Sequence, residues 1–264
     1  IWRAQGSCCN LMTVAVDIGN TNRVVAVLNN GVWNKPFRVF TDTKKTGDEY
    51  YVIFSSLFDE RGVERDKVDK VIISSVVPFL TRSIEKNMRR IFKKDPIMVS
   101  HSVECGLNKA TIPPELGADL LCNMAYGHYH HKDGAVMVID FGTALTFSTV
   151  SKEGKVLGVA IAPGLVTAVN ALFGSTAQLP QVELKVPSSV LGRDSMESIR
   201  AGIMEGYSGL VEKIIANTEK ELGERLYVMA TGGLSSTIST LIDRLDELDP
   251  ILTLKGLGLI ADLN

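Results

Sequence analysis

The sequence contains few cysteines and no excess of charge of either sign. Its 264 residues include four cysteines, and 28 Lys and Arg against 30 Asp and Glu give a formal net charge of −2. Four cysteines without paired spacing exclude a disulfide framework and a cysteine-based metal site, so we expect a reducing, cytoplasmic environment. A nearly neutral chain also argues against nucleic acid or an anionic membrane as the main partner.

Long apolar runs are also missing, because no stretch reaches the roughly 18 residues that a membrane-spanning helix needs. The chain is 45% hydrophobic and 6% aromatic, which is typical of a soluble globular protein. At this length we expect two domains, residues 12–116 and 117–264. Residues 1–11 lack an apolar signal core, and we expect them to be a tag or an upstream extension.

The most informative stretch is residues 135–150, AVMVIDFGTALTFSTV. An apolar run ending at Asp140 predicts a buried strand, and Leu145–Val150 predicts a returning strand. We expect Gly142 in the turn to allow backbone dihedrals and a close approach that a Cβ would block. Exposed N–H groups of such a turn bind anions, Asp140 could hold a cation, and Thr143 offers a hydroxyl. Ordinary hairpins have the same signature, so the motif alone does not decide the function.

The same pattern occurs a second time, in residues 14–27, VAVDIGNTNRVVAV. Aligning Asp17 with Asp140 superposes the flanking strands without a gap. Two strand–Asp-x-Gly–strand units in one chain indicate an internal duplication. The duplication favours two phosphate-binding hairpins that face a shared nucleotide.

The remaining periodicity predicts an α/β fold, with mixed sheets flanked by helices. The predicted helices are 48–61, 79–93, 117–127, 165–172, 196–221, a short one from 235 or 236, and 252–263. Beyond the hairpins, the predicted strands are 32–40, 68–77, 97–99, 155–161 and 226–230.

Two features have an ordinary structural interpretation beside a functional one. Asp119 lies in the first turn of a predicted helix, where acids commonly cap the helix or complement its dipole. It could equally accept the proton of an attacking hydroxyl, as a kinase requires. Thr231-Gly-Gly233 fits a tight strand-to-helix turn or a backbone against which adenine or ribose packs.

With these elements in order, the chain from Met12 to Asn264 resembles the type III pantothenate kinases. The matching segments are Asp17-Ile-Gly-Asn-Thr21, Gly117-Ala-Asp119, Asp140-Phe-Gly-Thr-Ala144, Ile161-Ala-Pro-Gly164, Thr176-Ala-Gln-Leu-Pro180, Gly192-Arg-Asp-Ser195 and Ala230-Thr-Gly-Gly233. The resemblance implies two duplicated ribonuclease-H-like (actin-like ATPase) domains of the acetate and sugar kinase/Hsp70/actin superfamily. It implies ATP-dependent phosphorylation of the primary hydroxyl of pantothenate, the first step of coenzyme A biosynthesis. It also implies a homodimer with the substrate near the subunit interface.

The resemblance also implies roles for individual residues. Asp119 matches the family's proton acceptor, Asp140 its ligand for a monovalent cation (K⁺ or NH₄⁺), and Asp17 a residue that holds Mg²⁺ through water. The positions matched to ATP binding are Asp17, Ile18, Gly19, Asn20, Thr21, Asn22, Arg23, Val24, Thr143, Gly232 and Gly233. The positions matched to substrate binding are Gly117, Ala118, Asp119, Leu120 and Ser195.

The departures from the family pattern lie mainly on the substrate side. Leu120 stands where the family usually has arginine, and Ala110 where it often has an aromatic residue. Losing the arginine removes a cation that could hold a carboxylate in a bidentate manner, which keeps open a related kinase with another small hydroxyl substrate. A non-catalytic nucleotide-binding regulator is a third hypothesis, and the retained acids Asp17, Asp119 and Asp140 count against it.

Overall fold

The computed structural model describes residues 11–175 and 182–264, which fall into two compact units. The first unit comprises the described residues up to Tyr126 together with Thr253–Asn264, and the second comprises those of Gly127–Leu252. None of the described helices is long and apolar enough to cross a membrane. The segment Thr176-Ala-Gln-Leu-Pro180, which contributes to the resemblance, lies outside the described residues.

The first unit is built on one mixed sheet. Its strands are β1 (Met12–Ile18), β2 (Asn22–Asn29), β3 (Val32–Trp33), β4 (Phe37–Phe40), β5 (Val68–Ser75) and β6 (Ile97–Met98). Their order is β3-β2-β1-β5-β6, and β4 also pairs with β2. β1 runs antiparallel to β2 and parallel to β5, so the predicted mixed sheet is confirmed.

The single strand predicted for residues 32–40 is wrong, because two short strands occupy this stretch. Between them, the backbone N–H of Asn34 donates to the Val27 carbonyl, and the Asn34 side chain accepts from the Val27 N–H at 2.7 Å. Pro36 then has no N–H to donate to a ladder, which breaks the strand before β4 begins.

Helices α1 (Gly47–Glu60) and α2 (Pro78–Phe92) cover one face of this sheet, and α3 (Ala118–His130) begins in the same unit. Thr46 and Glu49 form a capping box that starts α1, and Pro78 opens α2 with a pre-set φ. Both helices pack against the buried β1 side chains of Val14, Val16 and Ile18. Alternate β1 residues, including Asp17, therefore belong to the opposite face.

The second unit repeats this arrangement. Its strands are β7 (Val136–Phe141), β8 (Ala144–Val150), β9 (Val156–Pro163), β10 (Tyr227–Thr231) and β11 (Glu247–Leu248), in the order β11-β10-β7-β8-β9. Its helices are α4 (Leu165–Ser175), α5 (Ser195–Leu222) and α6 (Ser235–Ile238), and α7 (Leu252–Leu263) follows. Asp194 caps the start of α5, and Gly223 ends it at a φ of 72°.

The two sheets share one topology, in which an antiparallel hairpin lies beside a later parallel strand, and this confirms the predicted duplication. The gap-free alignment of the two hairpins is wrong beyond the tip. Asp17 pairs with Val24, whereas Asp140 pairs with Thr146, so the second tip is one residue shorter. A hydrogen bond from Gly142 N–H to the Ala144 carbonyl closes this tighter turn.

Close packing of α7 on α3 explains why both the start of α3 and the end of the chain group with the first unit. A Cβ at Gly256 would lie 2.2 Å from the Cys122 carbonyl oxygen, so the helices approach closely there. The Thr253 hydroxyl donates to the Asn123 side chain at 2.8 Å. The domain division between residues 116 and 117 stays a prediction, and these compact units differ from it by placing residues 117–126 and 253–264 with the first.

Candidate active site

The first hairpin presents an exposed tip beside a carboxylate. Gly19–Thr21 connect β1 to β2, and Asn20 and Thr21 are exposed. The Gly19 N–H donates to the Asn22 carbonyl at 3.0 Å, and a Cβ at Gly19 would lie 3.1 Å from that oxygen. Half-buried Asp17 precedes the tip on the sheet face opposite α1 and α2. Backbone N–H groups and one nearby acid are what a phosphate with its cation requires.

Arg23 does not present its guanidinium at this tip. The side chain has 0% exposure and lies on the α1 and α2 side of the sheet, with its Cζ 3.8 Å from the centre of the Tyr50 ring. Nη1 donates to the Phe40 carbonyl at 3.0 Å, while Nε and Nη2 have no hydrogen-bond partner in the described part of the chain. The ATP contact predicted for Arg23 stays a prediction, and it would have to involve the backbone.

Asp119 lies in the first turn of α3, as expected, and its Oδ1 accepts the Leu120 N–H at 2.8 Å. Burial raises the pKa of the Asp119 carboxyl above its ordinary value, and the hydrogen bond from Leu120 acts in the opposite direction. Burial also raises the pKa of the Cys122 thiol, and the charges of Asp17 and Asp119 add to this effect. Asp17 and Asp119, far apart in sequence, therefore both act electrostatically on the Cys122 thiol.

Gly117 provides the space that the Asp119 carboxylate occupies, because a Cβ at Gly117 would lie 2.5 Å from Asp119 Oδ1. We therefore expect Gly117→Ala to displace the carboxylate. With the predicted role of Asp119 as proton acceptor, kcat should fall about 100-fold, the cost of misplacing a reacting group by roughly 1 Å. The free energy of unfolding should fall by less than about 1 kcal/mol, because a flexible side-chain end moves at little cost.

Steady-state kinetics and chemical denaturation of Gly117→Ala check this prediction. Gly209→Ala is a matched control, since Gly209 is an exposed α5 residue with open space around its Cβ position. A normal kcat in Gly117→Ala would show that the position of the Asp119 carboxylate does not matter.

The predicted substrate-side residues differ in their exposure. Ala118 and Leu120 are buried, with 8% and 7% exposure, so they offer little side-chain surface to a ligand. Ser195 is exposed at the first residue of α5, directly after the capping residue Asp194. The substrate-binding roles of all three residues stay predictions.

In the second hairpin, Asp140 is next to last in β7 and is half-buried, and the tip residues Gly142 and Thr143 are exposed. The expectation for Gly142 is wrong: its φ lies outside the left-handed region, and a Cβ there would make an ordinary 3.4 Å contact. Gly232 has these properties instead, with a φ of 96° and a Cβ position only 2.4 Å from Asp140 Oδ1. The turn after β10 thus packs its backbone directly against the Asp140 carboxylate.

Comparison with known proteins identifies the family. Residues 13–217 match the family model of type III pantothenate kinase. The chain belongs to the type III pantothenate kinase family. A relative of that name from Myxococcus xanthus (strain DK1622) is 39% identical over 254 residues, 96% of this chain and 99% of the relative. Another, from Syntrophobacter fumaroxidans (strain DSM 10017 / MPOB), is 41% identical over 255 residues, 96% of this chain and 98% of the relative.

Solved structures of lower sequence identity share the fold. A structure described as a Baf family transcriptional activator from Campylobacter jejuni has a TM-score of 0.58 and 20% identity, and covers 94% of this chain and 97% of its own. MreB 5 of Spiroplasma citri has a TM-score of 0.54 and 11% identity, and covers 96% of this chain and 97% of its own. The predicted pair of duplicated, actin-like domains is confirmed, and at such identities only the fold carries over.

In this member of the type III pantothenate kinase family, the acids fit a metal ion whose other ligands are water and phosphate oxygens. Among residues 11–175 and 182–264, no group of three or more His, Cys, Asp or Glu could hold a metal ion. Mg²⁺ is commonly bound by one or two carboxylates, several waters and substrate phosphates. Asp17 beside an exposed tip fits that role without further protein ligands.

Sequence reasoning missed two threonines that contact the hairpin tips. The Thr41 hydroxyl donates to the Gly19 carbonyl at 2.8 Å, and the Thr167 hydroxyl donates to the Thr143 carbonyl at 2.7 Å. Neither belongs to a recognised motif, although each follows closely on a strand of its hairpin sheet, β4 or β9. This shared position, shortly after a strand of the hairpin sheet, is the sequence feature that could have identified both threonines.

Proposed function

We propose that this protein transfers the γ-phosphoryl group of ATP to the primary hydroxyl of pantothenate, forming 4′-phosphopantothenate for coenzyme A biosynthesis. The observation that carries the proposal is the half-buried Asp119 carboxylate in the first turn of α3, with one oxygen held by the Leu120 N–H, in a chain of this family. Phosphoryl transfer needs a site for the phosphates with their cation and a group that accepts the hydroxyl proton. Asp17 and Asp119 supply these two groups within one unit.

Asp119 acts as the general base in this proposal. A pKa raised by burial makes its carboxylate a stronger proton acceptor than an ordinary aspartate. The hydrogen bond from Leu120 N–H fixes one carboxylate oxygen, which leaves the other to meet the substrate hydroxyl.

Each hairpin tip offers backbone N–H groups to phosphate. N–H groups of an exposed tip would stabilise negative charge on a phosphate, and charge stabilisation is the main contribution to this type of reaction. Asp17 would hold Mg²⁺ through water, and Asp140 would bind K⁺ or NH₄⁺. When bound, these cations neutralise charge that develops on the transferring group. The turn at Gly232 and Gly233 would pack against adenine or ribose.

We further propose a cytoplasmic homodimer with the substrate site near its interface. β9 forms the edge of the second sheet and exposes an apolar face, with Leu157, Val159 and Ile161 at 43%, 36% and 68% exposure. An edge strand with such a face aggregates unless it is covered, so a second copy of the chain suits this surface.

We expect Ile161→Asp to convert the dimer into a monomer, because a carboxylate at the centre of an apolar interface loses its hydration. Sedimentation velocity at several concentrations measures the change. Val32→Asp is a matched control, because Val32 is 69% exposed on β3, the edge strand of the first sheet. A monomeric wild type, or a variant that still dimerises, would contradict the proposed interface.

An ADP-release assay with ATP, Mg²⁺ and K⁺ tests the proposed function. Turnover that requires pantothenate supports it. Turnover with another small hydroxyl compound, but not with pantothenate, would favour the related kinase that Leu120 keeps open. ATP binding without turnover on any alcohol would favour the nucleotide-binding regulator.

A further inference from the structure

Residues 40–42, at the end of β4, form hydrogen bonds that hold the tip of the first hairpin in place. Thr41 is buried, with 7% exposure, and uses two groups at once. Its hydroxyl donates to the Gly19 carbonyl and its backbone N–H donates to the Thr21 carbonyl, each at 2.8 Å. One residue therefore fixes carbonyls at both ends of the tip.

The segment that carries Thr41 is itself fixed on both sides. Arg23 Nη1 donates to the Phe40 carbonyl at 3.0 Å. The Tyr50 hydroxyl accepts the Asp42 N–H at 3.0 Å and donates to the Asp42 carbonyl at 2.5 Å. The Arg23 guanidinium stacks on the Tyr50 ring, which links the two supports. The backbone on both sides of Thr41 is therefore held by hydrogen bonds, which fixes the position of Thr41.

These bonds set the direction of the N–H groups at the tip. In a trans peptide, the carbonyl and the following N–H point in opposite directions from one plane. A Gly19 carbonyl directed at Thr41 therefore turns the Asn20 N–H away from Thr41. The Thr21 carbonyl does the same for the Asn22 N–H. Asn20 and Asn22 are both exposed residues, and their N–H groups are directed away from Thr41.

The second hairpin has a comparable brace, formed by different residues. The Thr143 carbonyl accepts the Thr167 hydroxyl at 2.7 Å and the Gly164 N–H at 3.0 Å. Gly164 fits tightly, because a Cβ there would lie 2.2 Å from the Gly142 carbonyl oxygen. By the same planarity, the Ala144 N–H is turned away from Thr167.

We propose that Thr41 and Thr167 are positioning residues, each of which orients the N–H groups of its own hairpin tip for nucleotide phosphate. The proposal rests on the proposed function, which supplies ATP as the nucleotide. Pre-oriented donors bind phosphate more strongly than donors that must first be ordered, so the hydroxyl braces raise ATP affinity without touching ATP.

Thr41→Val tests the brace, because valine keeps the shape of threonine and the backbone N–H bond but removes the hydroxyl. We expect KM for ATP to rise about threefold to tenfold, the effect of one lost hydrogen bond. KM for pantothenate and inhibition by adenosine, which has no phosphates, should stay within about twofold of wild type. Thr41→Ser keeps the hydroxyl and should have the wild-type KM for ATP. Thr167→Val, at an exposed position, should raise the KM for ATP as Thr41→Val does.

Thr218→Val is the matched control, since the Thr218 hydroxyl donates to the Ile214 carbonyl at 2.9 Å within α5. A purely structural role for Thr41 would change thermal stability and would weaken ATP and adenosine equally, which would overturn the proposal. A normal KM for ATP in both valine variants, with an active wild type, would overturn this inference and leave the proposed function intact. A wild type that does not bind ATP would overturn the proposed function and this inference together.

Discussion

Replacing Asp119 by asparagine is expected to lower kcat by about 100-fold to 10,000-fold while KM for ATP changes little. Asparagine keeps the shape of the side chain, and its carbonyl can still accept the Leu120 N–H, but it cannot take a proton from the substrate hydroxyl. Because burial raises the pKa of Asp119, the folded protein disfavours its ionised form. Removing that charge should therefore not lower stability at neutral pH.

Asp48→Asn is a close control for this variant. Asp48 is the second residue of α1, as Asp119 is of α3, but its side chain is 96% exposed. We expect its kcat to equal that of wild type. In the wild type, kcat/KM should fall on acidification at a higher pH than an ordinary aspartate would give, because the base must be ionised and its pKa is raised. An Asp119→Asn variant with nearly normal kcat would refute the role of the base.

Gly232→Ala is expected to lower the free energy of unfolding by roughly 3 kcal/mol and to abolish most activity. The φ of 96° is unfavourable for alanine, and its Cβ would lie 2.4 Å from Asp140 Oδ1 and 2.7 Å from the Phe141 backbone. The Phe141 backbone cannot move without disturbing β7, and the Asp140 carboxylate would leave its position. Chemical denaturation and steady-state kinetics measure the two effects.

Gly233→Ala is the control that distinguishes the strain expected in Gly232→Ala from the general effect of replacing a glycine by alanine. Gly233 has no positive φ, and the space around its Cβ position is open within 4 Å. We expect Gly233→Ala to change the free energy of unfolding by less than about 0.5 kcal/mol. Equal destabilisation by the two alanines would show that the contact of Gly232 with Asp140 does not limit stability.

The fold was largely predictable because the patterns that specify it are local. Alternating and continuous apolar runs gave both hairpins, and Thr46, Pro78 and Gly223 mark helix ends close to the predicted ones. The strand predicted for residues 32–40 was wrong because Asn34 forms hydrogen bonds with both the N–H and the carbonyl of Val27, and β3 ends before it. Tertiary contacts override local propensity in such places.

The site was less predictable, because side-chain direction and partners depend on distant segments. Arg23 is the second residue after the first tip, yet its guanidinium lies against the ring of Tyr50, a residue of α1. Gly232 contacts Asp140 only because β10 pairs with β7. The electrostatic effect of both Asp17 and Asp119 on the Cys122 thiol likewise depends on residues that are far apart in sequence. No spacing rule within the sequence gives these contacts.

The most direct test of the account is ³¹P NMR of a reaction with pantothenate, ATP, Mg²⁺ and K⁺. We predict a new phosphomonoester signal, split into a triplet by the two protons of the primary carbinol carbon, that grows as the γ-phosphate signal of ATP declines. The same reaction with Asp119→Asn should give no such signal. Formation of inorganic phosphate alone, or an unchanged ATP spectrum with pantothenate present, would contradict the proposed phosphoryl transfer.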